Sequence, residues 1–259
     1  MLDLMFLKGA LALYGVGLAA ATAQGLRVRG AQGLSNAAIL IGLGCHAAAV
    51  ASRGVLARHF PVASFYESLL FISLTTAVFF SLVVTRTNQY PGLKIGGLLL
   101  LVTTLVGALR SDRSIEPLMP ALRSIWIQIH VPTMMTSYGA FAVAAVTSAI
   151  DLITRRRNPL PELEWLSARL IAFGFIFLTV GIGLGAIWAN EAWGTYWGWD
   201  PKETCALITW LIYAIYLHGK YVTGWKGPRL AWVSILGFSA VLFTYLGVSF
   251  LLSGLHSYI

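Results

Sequence analysis

The chain has 259 residues, of which 58% are hydrophobic and only 11% are charged, and its mean hydropathy is +0.76. This composition excludes an ordinary soluble domain and predicts an all-α membrane protein that crosses the bilayer several times. The net charge of +8 does not indicate nucleic-acid binding, because the cations lie in short segments between apolar runs. Cys45 and Cys205 have no CxxC spacing, so neither a disulfide framework nor a thiol redox motif is expected.

Eight apolar stretches are long enough, or nearly so, to cross about 30 Å of hydrocarbon. They are residues 5–23, 34–52, 64–84, 94–109, 127–153, 168–190, 201–222 and 230–253. The first is similar to a signal peptide, but Asp3 and the arginines that follow the run favour a retained span. No long polar segment separates the stretches. We therefore predict a single multi-spanning domain, residues 1–259, with eight transmembrane helices.

The loop cations predict how the chain is oriented in the membrane. Eleven of the 18 lysines and arginines fall in loops 24–33, 85–94, 154–169 and 219–229, which share one face. The positive-inside rule places that face in the cytoplasm. Both termini, and the connection between spans six and seven, are then expected on the external face.

The connection between spans six and seven is the most unusual segment. Residues 193–204 have the sequence Trp-Gly-Thr-Tyr-Trp-Gly-Trp-Asp-Pro-Lys-Glu-Thr, and with the residues before them, from about 188 to 204, they are called the tryptophan loop. Asp200 has the position of a helix N-cap, Pro201 that of a first helical residue, and Glu203 that of a capping-box acid. The loop is therefore expected to run directly into the first turn of span seven.

The tryptophans of this loop have two interpretations. Tryptophan is enriched at both membrane surfaces, so an aromatic belt, as in an ordinary small-molecule permease, would account for scattered indoles. Three indoles clustered around glycines favour instead a flat aromatic shelf for a large planar ligand. These three are Trp193, Trp197 and Trp199.

Histidines lie on the same predicted face as the tryptophan loop. His130, at the end of span five, and His256, after span eight, could supply both axial ligands of a haem iron, although each alone could be an ordinary interfacial residue. His218 lies about 25 Å along span seven, too far to share one iron with that pair, so we predict a second, inner station. His46 and His59 lie near the external face, and another protein is therefore expected to supply the second inner ligand.

Two further features leave alternatives open. Glu67, at the external end of span three, could be an interfacial acid, or it could bind a ligand, the tryptophan loop, or an external arginine such as Arg53 or Arg58. Gly181 and Gly185 in span six have the spacing of close helix packing, and they could also leave room for a ligand beneath the tryptophan loop.

The tryptophan loop and the helix after it, as far as His218, closely resemble the WWD motif and following helix of the CcsA (ResC) family of cytochrome c biogenesis, system II. Supporting matches are residues 66–69 in span three, and residues 126–130 with Tyr138 in span five. The resemblance covers about residue 60 to the C-terminus. The segment before residue 66 departs from it, with Ala-Ser-Phe where an Asn-Leu pair is common.

The resemblance implies a haem-handling subunit that, with a CcsB (ResB) membrane partner, delivers haem b across the membrane for thioether attachment to the CxxCH motif of apocytochrome c. It implies a haem-lyase type of enzyme that acts as part of a complex, with the activity of the isolated chain left open. The alternative is a haem chaperone or exporter of the CcmC type without ligation activity. The expected location is the bacterial inner (cytoplasmic) membrane, with the thylakoid membrane as the alternative.

The resemblance also implies roles for single residues. His130 and His256 match the two external ligands of the haem iron, and His218 matches a transmembrane ligand whose counterpart the partner carries. No catalytic residue is assigned. The candidate haem-contacting residues are Trp193, Tyr196, Trp197, Trp199, Asp200 and Glu67.

Overall fold

The structure is a computed structural model that describes residues 2–155 and 160–252. Within these ranges the chain forms helices and no strand, which confirms the predicted all-α class. The helices are α1 Leu2–Gly25, α2 Ala31–Ala57, α3 Phe65–Arg86, α4 Pro91–Arg110, α5 Ile125–Thr154, α6 Pro161–Trp193, α7 Pro201–Tyr221 and α8 Pro228–Leu242, with a 3-10 turn at Pro120–Arg123 before α5. After α8, a π turn at Phe243–Gly247 continues into the short α9, Val248–Leu251.

Seven helices of the described ranges are long and apolar enough to cross a membrane. They are α1 to α6 and the continuous segment Pro228–Leu251. The eighth, α7, has 21 residues and coincides with predicted span seven, but it carries charged side chains at both ends and is more polar. The chain is thus a multi-spanning helical membrane protein.

Several helices begin earlier than their apolar runs. α6 starts at Pro161 rather than at residue 168, because proline suits the first helical position and Glu162 and Glu164 favour the positive end of the helix dipole. Lys94 and Arg169, which the sequence places in loops, lie instead within α4 and α6. Apolar runs therefore mark the lipid-embedded parts of these helices and not their ends.

The chain divides into two compact units, Met1–Leu118 and Met119–Ile259, and the single domain stays a prediction. In the first unit α1 packs against α2 and α4, and α3 packs against the same two helices. α1 and α2 approach closely at Gly42, where an added Cβ would lie 2.8 Å from the Tyr14 ring. At this point a glycine of α2 makes room for a tyrosine ring of α1.

His46 is a buried structural residue of this first unit. Because α2 continues to Ala57, His46 lies 11 residues, or about 17 Å, from the helix end, nearer mid-helix than the apolar run suggested. Its Nε2 lies 3.2 Å from both the Leu70 carbonyl oxygen and the Ser73 hydroxyl, and the Tyr14 hydroxyl lies 3.5 Å from Nδ1. These contacts link α1, α2 and α3.

A fully buried ammonium lies near the N-terminal end of α4. Lys94 donates to Gln24 Oε1 at 3.0 Å and to Asn36 Oδ1 at 2.7 Å, and Asn36 in turn donates to Asn88 Oδ1 at 2.8 Å. Neutral amides therefore solvate this charge and hold the ends of α1, α2 and α4 together.

In the second unit α5 packs along α6 and against α8, and α7 packs against both α6 and α8. Phe141 and Tyr213 stack with their ring centroids 3.7 Å apart, between Gly174 on one side and Gly237 on the other. At the predicted cytoplasmic end, Glu164 accepts from Lys220 Nζ at 2.7 Å, from Arg155 Nη2 at 3.2 Å and from the Gly227 amide at 2.7 Å. These bonds join the ends of α5, α6 and α7 and the start of α8.

Candidate functional site

His130 is held in a defined orientation in the first turns of α5. That helix is capped by Ser124, whose hydroxyl accepts from the Trp126 amide. The His130 Nδ1 lies 2.7 Å from the carbonyl oxygen of Gly181 on α6. Because a carbonyl can only accept, Nδ1 must carry the proton, and the ring's lone pair is on Nε2. This is the tautomer in which metal-binding histidines are usually fixed by a neighbouring acceptor.

Two residues of α6 confine the imidazole further. A Cβ at Gly185 would lie 2.7 Å from His130 Cε1 and 2.9 Å from its Nδ1, so only glycine leaves room for the ring. The ring also lies nearly parallel to that of Trp188, at 12° and with 6.4 Å between centroids. Trp188 is fixed in turn, because its Nε1 donates to the Ala121 carbonyl at 2.9 Å.

The tryptophan loop begins where α6 ends. Trp193 is the last residue of α6, and it meets the Trp188 ring edge-on with 4.7 Å between centroids. Gly194 then takes a left-handed conformation, with φ 79°, that turns the chain away from the helix. The indole of Trp193 therefore belongs to the same aromatic group as the ring that lies alongside His130.

The predicted capping box at the end of the loop is confirmed. Asp200 accepts from the Lys202 amide at 2.9 Å, and Glu203 reaches back to the Asp200 amide at 3.2 Å. Glu203 Oε2 also accepts from the Gly198 amide at 2.9 Å. One carboxylate thus ties two backbone amides of the loop to the first turn of α7.

The aromatic side chains of the loop differ in exposure. Tyr196 is 60% exposed and Trp199 is 68% exposed, so both present their rings outward. Trp199 also has a φ of 57°, which is rare for a bulky residue. Trp197 meets the Trp199 ring edge-on at 5.8 Å, and its Nε1 is buried with no hydrogen-bond partner in the described chain. A buried indole N–H without an acceptor is a point at which a ligand oxygen would be favoured.

The remaining candidates lie apart from this group or outside the described ranges. His218 is exposed on α7, three residues before the end of that helix. His256 lies outside the described residues. Whether each of these side chains contacts haem stays a prediction.

Glu67 pairs with Arg53, one of the partners that the sequence predicted for it. It is buried in the first unit, where its Oε1 accepts from Arg53 Nε at 2.9 Å and its Oε2 from the Ala63 amide at 2.9 Å. Arg53 also donates to the carbonyl oxygens of Arg113 and Ser114, at 2.9 and 3.1 Å. The pair thus holds the segment after α4, and a haem contact for Glu67 stays a prediction.

The sequence did not predict three features of the site. They are the Gly181 carbonyl as acceptor for His130, Trp188 as a neighbour of His130, and the hydrogen bond from the Gly198 amide to Glu203. The glycine spacing in α6 did carry a signal, since close packing is found at Gly181, where a Cβ would lie 2.5 Å from Met134 Sδ. Residues 2–155 and 160–252 contain no group of three or more His, Cys, Asp or Glu side chains suited to a bare metal ion. The imidazole of His130 lies instead beside an aromatic ring, that of Trp188.

The fold and the site together define a class: multi-spanning helical membrane proteins with an oriented histidine beside a tryptophan-rich connection. Comparison with known families is specific. The family described as Cytochrome C assembly protein matches residues 34–256. The chain belongs to this family, and within it to the CcsA proteins.

Relatives with the name Cytochrome c biogenesis protein CcsA are similar over most of the chain. The one from Chlamydomonas reinhardtii is 40% identical over 215 residues, 77% of this chain and 61% of that protein. The one from Cyanophora paradoxa is 38% identical over 265 residues, 80% of this chain and 81% of that protein. One from the cyanobacterium Prochlorococcus marinus is 37% identical over 246 residues, 80% of this chain and 78% of that protein.

A solved structure shares the fold. The chain named Cytochrome c Heme Lyase CcmF superposes with a TM-score of 0.78 and 21% identity, covering 98% of this chain and 47% of that one. At this identity the similarity concerns the helical architecture alone. This chain therefore spans less than two thirds of both the Chlamydomonas relative and the CcmF chain.

Proposed function

We propose that this chain is the haem-handling subunit of a cytochrome c synthase complex, holding haem b at the external site for attachment to the CxxCH motif of apocytochrome c. The observation that carries the proposal is the bond from His130 Nδ1 to the Gly181 carbonyl. It puts the lone pair of the ring on Nε2, the atom that would bind iron, and it fixes the plane of the ring. Family membership and the CcsA relatives support the same role in cytochrome c maturation.

The aromatic side chains of the tryptophan loop offer the kind of surface that a macrocycle binds. Trp193 lies edge-on to the Trp188 ring, and the exposed rings of Tyr196 and Trp199 offer flat apolar area. The buried Nε1–H of Trp197 suits a carboxylate oxygen, the acceptor that haem carries at its edge. In the proposal His256 supplies the second axial ligand, and Asp200 shapes the loop through the capping box.

The chain's contribution to the reaction is orientation. When bound, haem supplies two vinyl groups, and the S–H of each cysteine adds across one of them, sulfur bonding to the carbon next to the ring and hydrogen to the outer carbon. No oxidant or reductant is consumed in that addition. The aromatic loop holds the vinyl edge toward the incoming peptide, and positioning of this kind can supply several kcal/mol of the barrier reduction. The histidine of CxxCH then replaces one of the two axial histidines.

His218 is the proposed inner ligand. α7 coincides with a predicted span, and an exposed imidazole on a helix in lipid is costly, so a partner surface is expected to cover it. We assign this role to a CcsB (ResB)-like membrane protein that carries the second histidine. Haem then enters at the inner station and passes to the external one, in a bacterial inner membrane or, in the alternative, a thylakoid membrane.

The experiment is to purify the complex and record its visible spectrum and its yield of mature cytochrome c. We expect His130→Ala with His256→Ala to abolish the external haem signal and maturation, and an unchanged spectrum with full maturation would refute the external site. We expect His218→Ala to lower external occupancy as well, whereas normal external occupancy would refute the relay. Haem bound without any thioether product would instead favour the chaperone of the CcmC type.

A further inference from the structure

The π turn at Phe243–Gly247 interrupts α8 close to the start of α7. A π turn accommodates one residue more than an α-helical turn, and such turns are frequent at functional sites. The turn ends at Gly247, where an added Cβ would lie 2.6 Å from the Phe243 ring, so glycine is the residue that fits there. The extra residue changes which side chains face α7 in the segment that follows the turn.

The direction of Ser249 follows from the turn. In an unbroken α-helix Ser249, eight residues after Val241, would point about 80° away from it, since each residue turns the helix by about 100°. With one residue absorbed by the π turn, the difference shrinks to roughly 20°. Ser249 is accordingly buried on the same face as Val241, Gly237 and Ser234.

Two hydrogen bonds join this segment to α7, and the one made by Ser249 uses this alignment. The Ser249 hydroxyl lies 3.2 Å from Lys202 Nζ and itself donates to the Tyr245 carbonyl at 2.8 Å. Inside the π turn, the Thr244 hydroxyl lies 3.3 Å from that of Thr209 on α7. Lys202 is the second residue of α7, and its amide donates to Asp200, the last residue of the tryptophan loop before the helix.

We propose that the π turn is a register element that positions the tryptophan loop. It keeps Ser249 facing α7. Lys202 can then hold the first turn of α7, and with it the capping box and the loop, at a fixed level against the segment after α8. Lys202 is in this sense a positioning residue that acts through Asp200 and the loop. The link to haem rests on the proposed function, whereas the register itself does not.

The test compares three chain lengths: the natural one, one with Leu246 deleted, and one with a single alanine inserted after Gly247. Deleting Leu246 removes the surplus residue and leaves Ser249 in line as part of a regular helix. Inserting an alanine turns Ser249 about 100° away. The first readout needs no haem: cross-linking of Lys202→Cys to Ser249→Cys in membranes by a short bifunctional thiol reagent, which replaces the reach of the lysine side chain, with Cys45→Ser and Cys205→Ser to remove the native thiols.

We expect efficient cross-linking in the natural and deleted lengths and a roughly tenfold lower yield after insertion, because the inserted residue turns position 249 about 100° away from α7. Equal loss in the deletion and the insertion, or no loss in either, would overturn the register element. The second readout is the haem spectrum of the three lengths with Lys202 and Ser249 intact, together with Lys202→Met and Lys202→Arg. We expect occupancy to fall about tenfold for the insertion and Lys202→Met and to be largely kept by the deletion and Lys202→Arg.

The two readouts separate the possible failures. Cross-linking that follows chain length while all haem spectra stay equal would overturn the positioning role of Lys202 and leave the register intact. A natural-length protein that never shows haem would count against the proposed function, and the cross-linking pattern would still decide the register.

Discussion

Replacing Gly185 by alanine tests the orientation of His130 most directly. The new methyl carbon would lie 2.7 Å from Cε1 and 2.9 Å from Nδ1, whereas ordinary contacts begin near 3.4 Å. The imidazole must therefore move by about 0.7 Å, which lengthens the 2.7 Å bond to the Gly181 carbonyl beyond hydrogen-bonding range if the ring moves outward. Loss of such an orienting partner typically costs 10- to 100-fold in metal affinity, or about 1.4 to 2.7 kcal/mol.

The assay is a haem titration of the purified protein followed by its Soret absorbance, with thermal unfolding measured in parallel. Gly183→Ala is the matched control, because it lies on the same helix with nothing within 4 Å of the added Cβ. Alanine favours the helix by about 1 kcal/mol in both variants, and in Gly185→Ala this gain is offset by the cost of displacing the imidazole, about 1–3 kcal/mol, which the thermal unfolding measures separately from haem binding. We expect roughly tenfold or greater weakening of haem binding for Gly185→Ala only. Equal affinity in the two variants would refute the reasoning.

The other predictions concern the loop, the first unit and pH. Glu203→Ala removes the acceptor of the Gly198 and Asp200 amides, and we expect faster proteolysis within the tryptophan loop. Glu203→Gln keeps an oxygen acceptor and should resemble the natural protein. Equal cleavage of both variants would count against the anchoring of the loop by Glu203. Arg53→Met removes the cationic partner of the buried Glu67 carboxylate and should cost about 3–5 kcal/mol of stability. Adding Glu67→Met should recover most of that loss, as measured by thermal unfolding. A double variant no more stable than the single one would argue against the ion pair. Haem affinity should be highest at neutral pH and fall about tenfold or more for each pH unit below the ordinary histidine pKa of about 6.5, because protons compete with iron for the imidazole; an affinity that is the same at pH 7 and pH 5 in spectral titrations would contradict histidine ligation.

Local signals in the sequence were sufficient for the end of the tryptophan loop. Asp200, Pro201 and Glu203 determine a capping box by their spacing alone, since all the bonds involved lie within one helical turn. The all-helical class and the approximate spans follow in the same way from apolar runs of bilayer length. Helix ends did not follow, because charged first turns such as that of α6 extend the helix beyond the apolar run.

Contacts between distant helices could not be predicted from a single sequence. The bond from His130 to the Gly181 carbonyl depends on how α5 lies against α6, and a backbone acceptor leaves no mark in the residue type. The glycine spacing indicated only that some helix comes close there. The π turn is similar, because its single surplus residue disturbs a hydrophobic pattern too little to be noticed.

The backbone of Trp199 carries an energetic cost that its neighbours do not explain. A left-handed φ of 57° costs a bulky residue about 1–2 kcal/mol, which glycine would avoid. Trp199→Gly should therefore raise the melting temperature while removing the most exposed ring of the loop. Under the proposed function this segment gives up stability for a haem-contacting ring, and a search for more thermostable variants would be expected to select against Trp199 first.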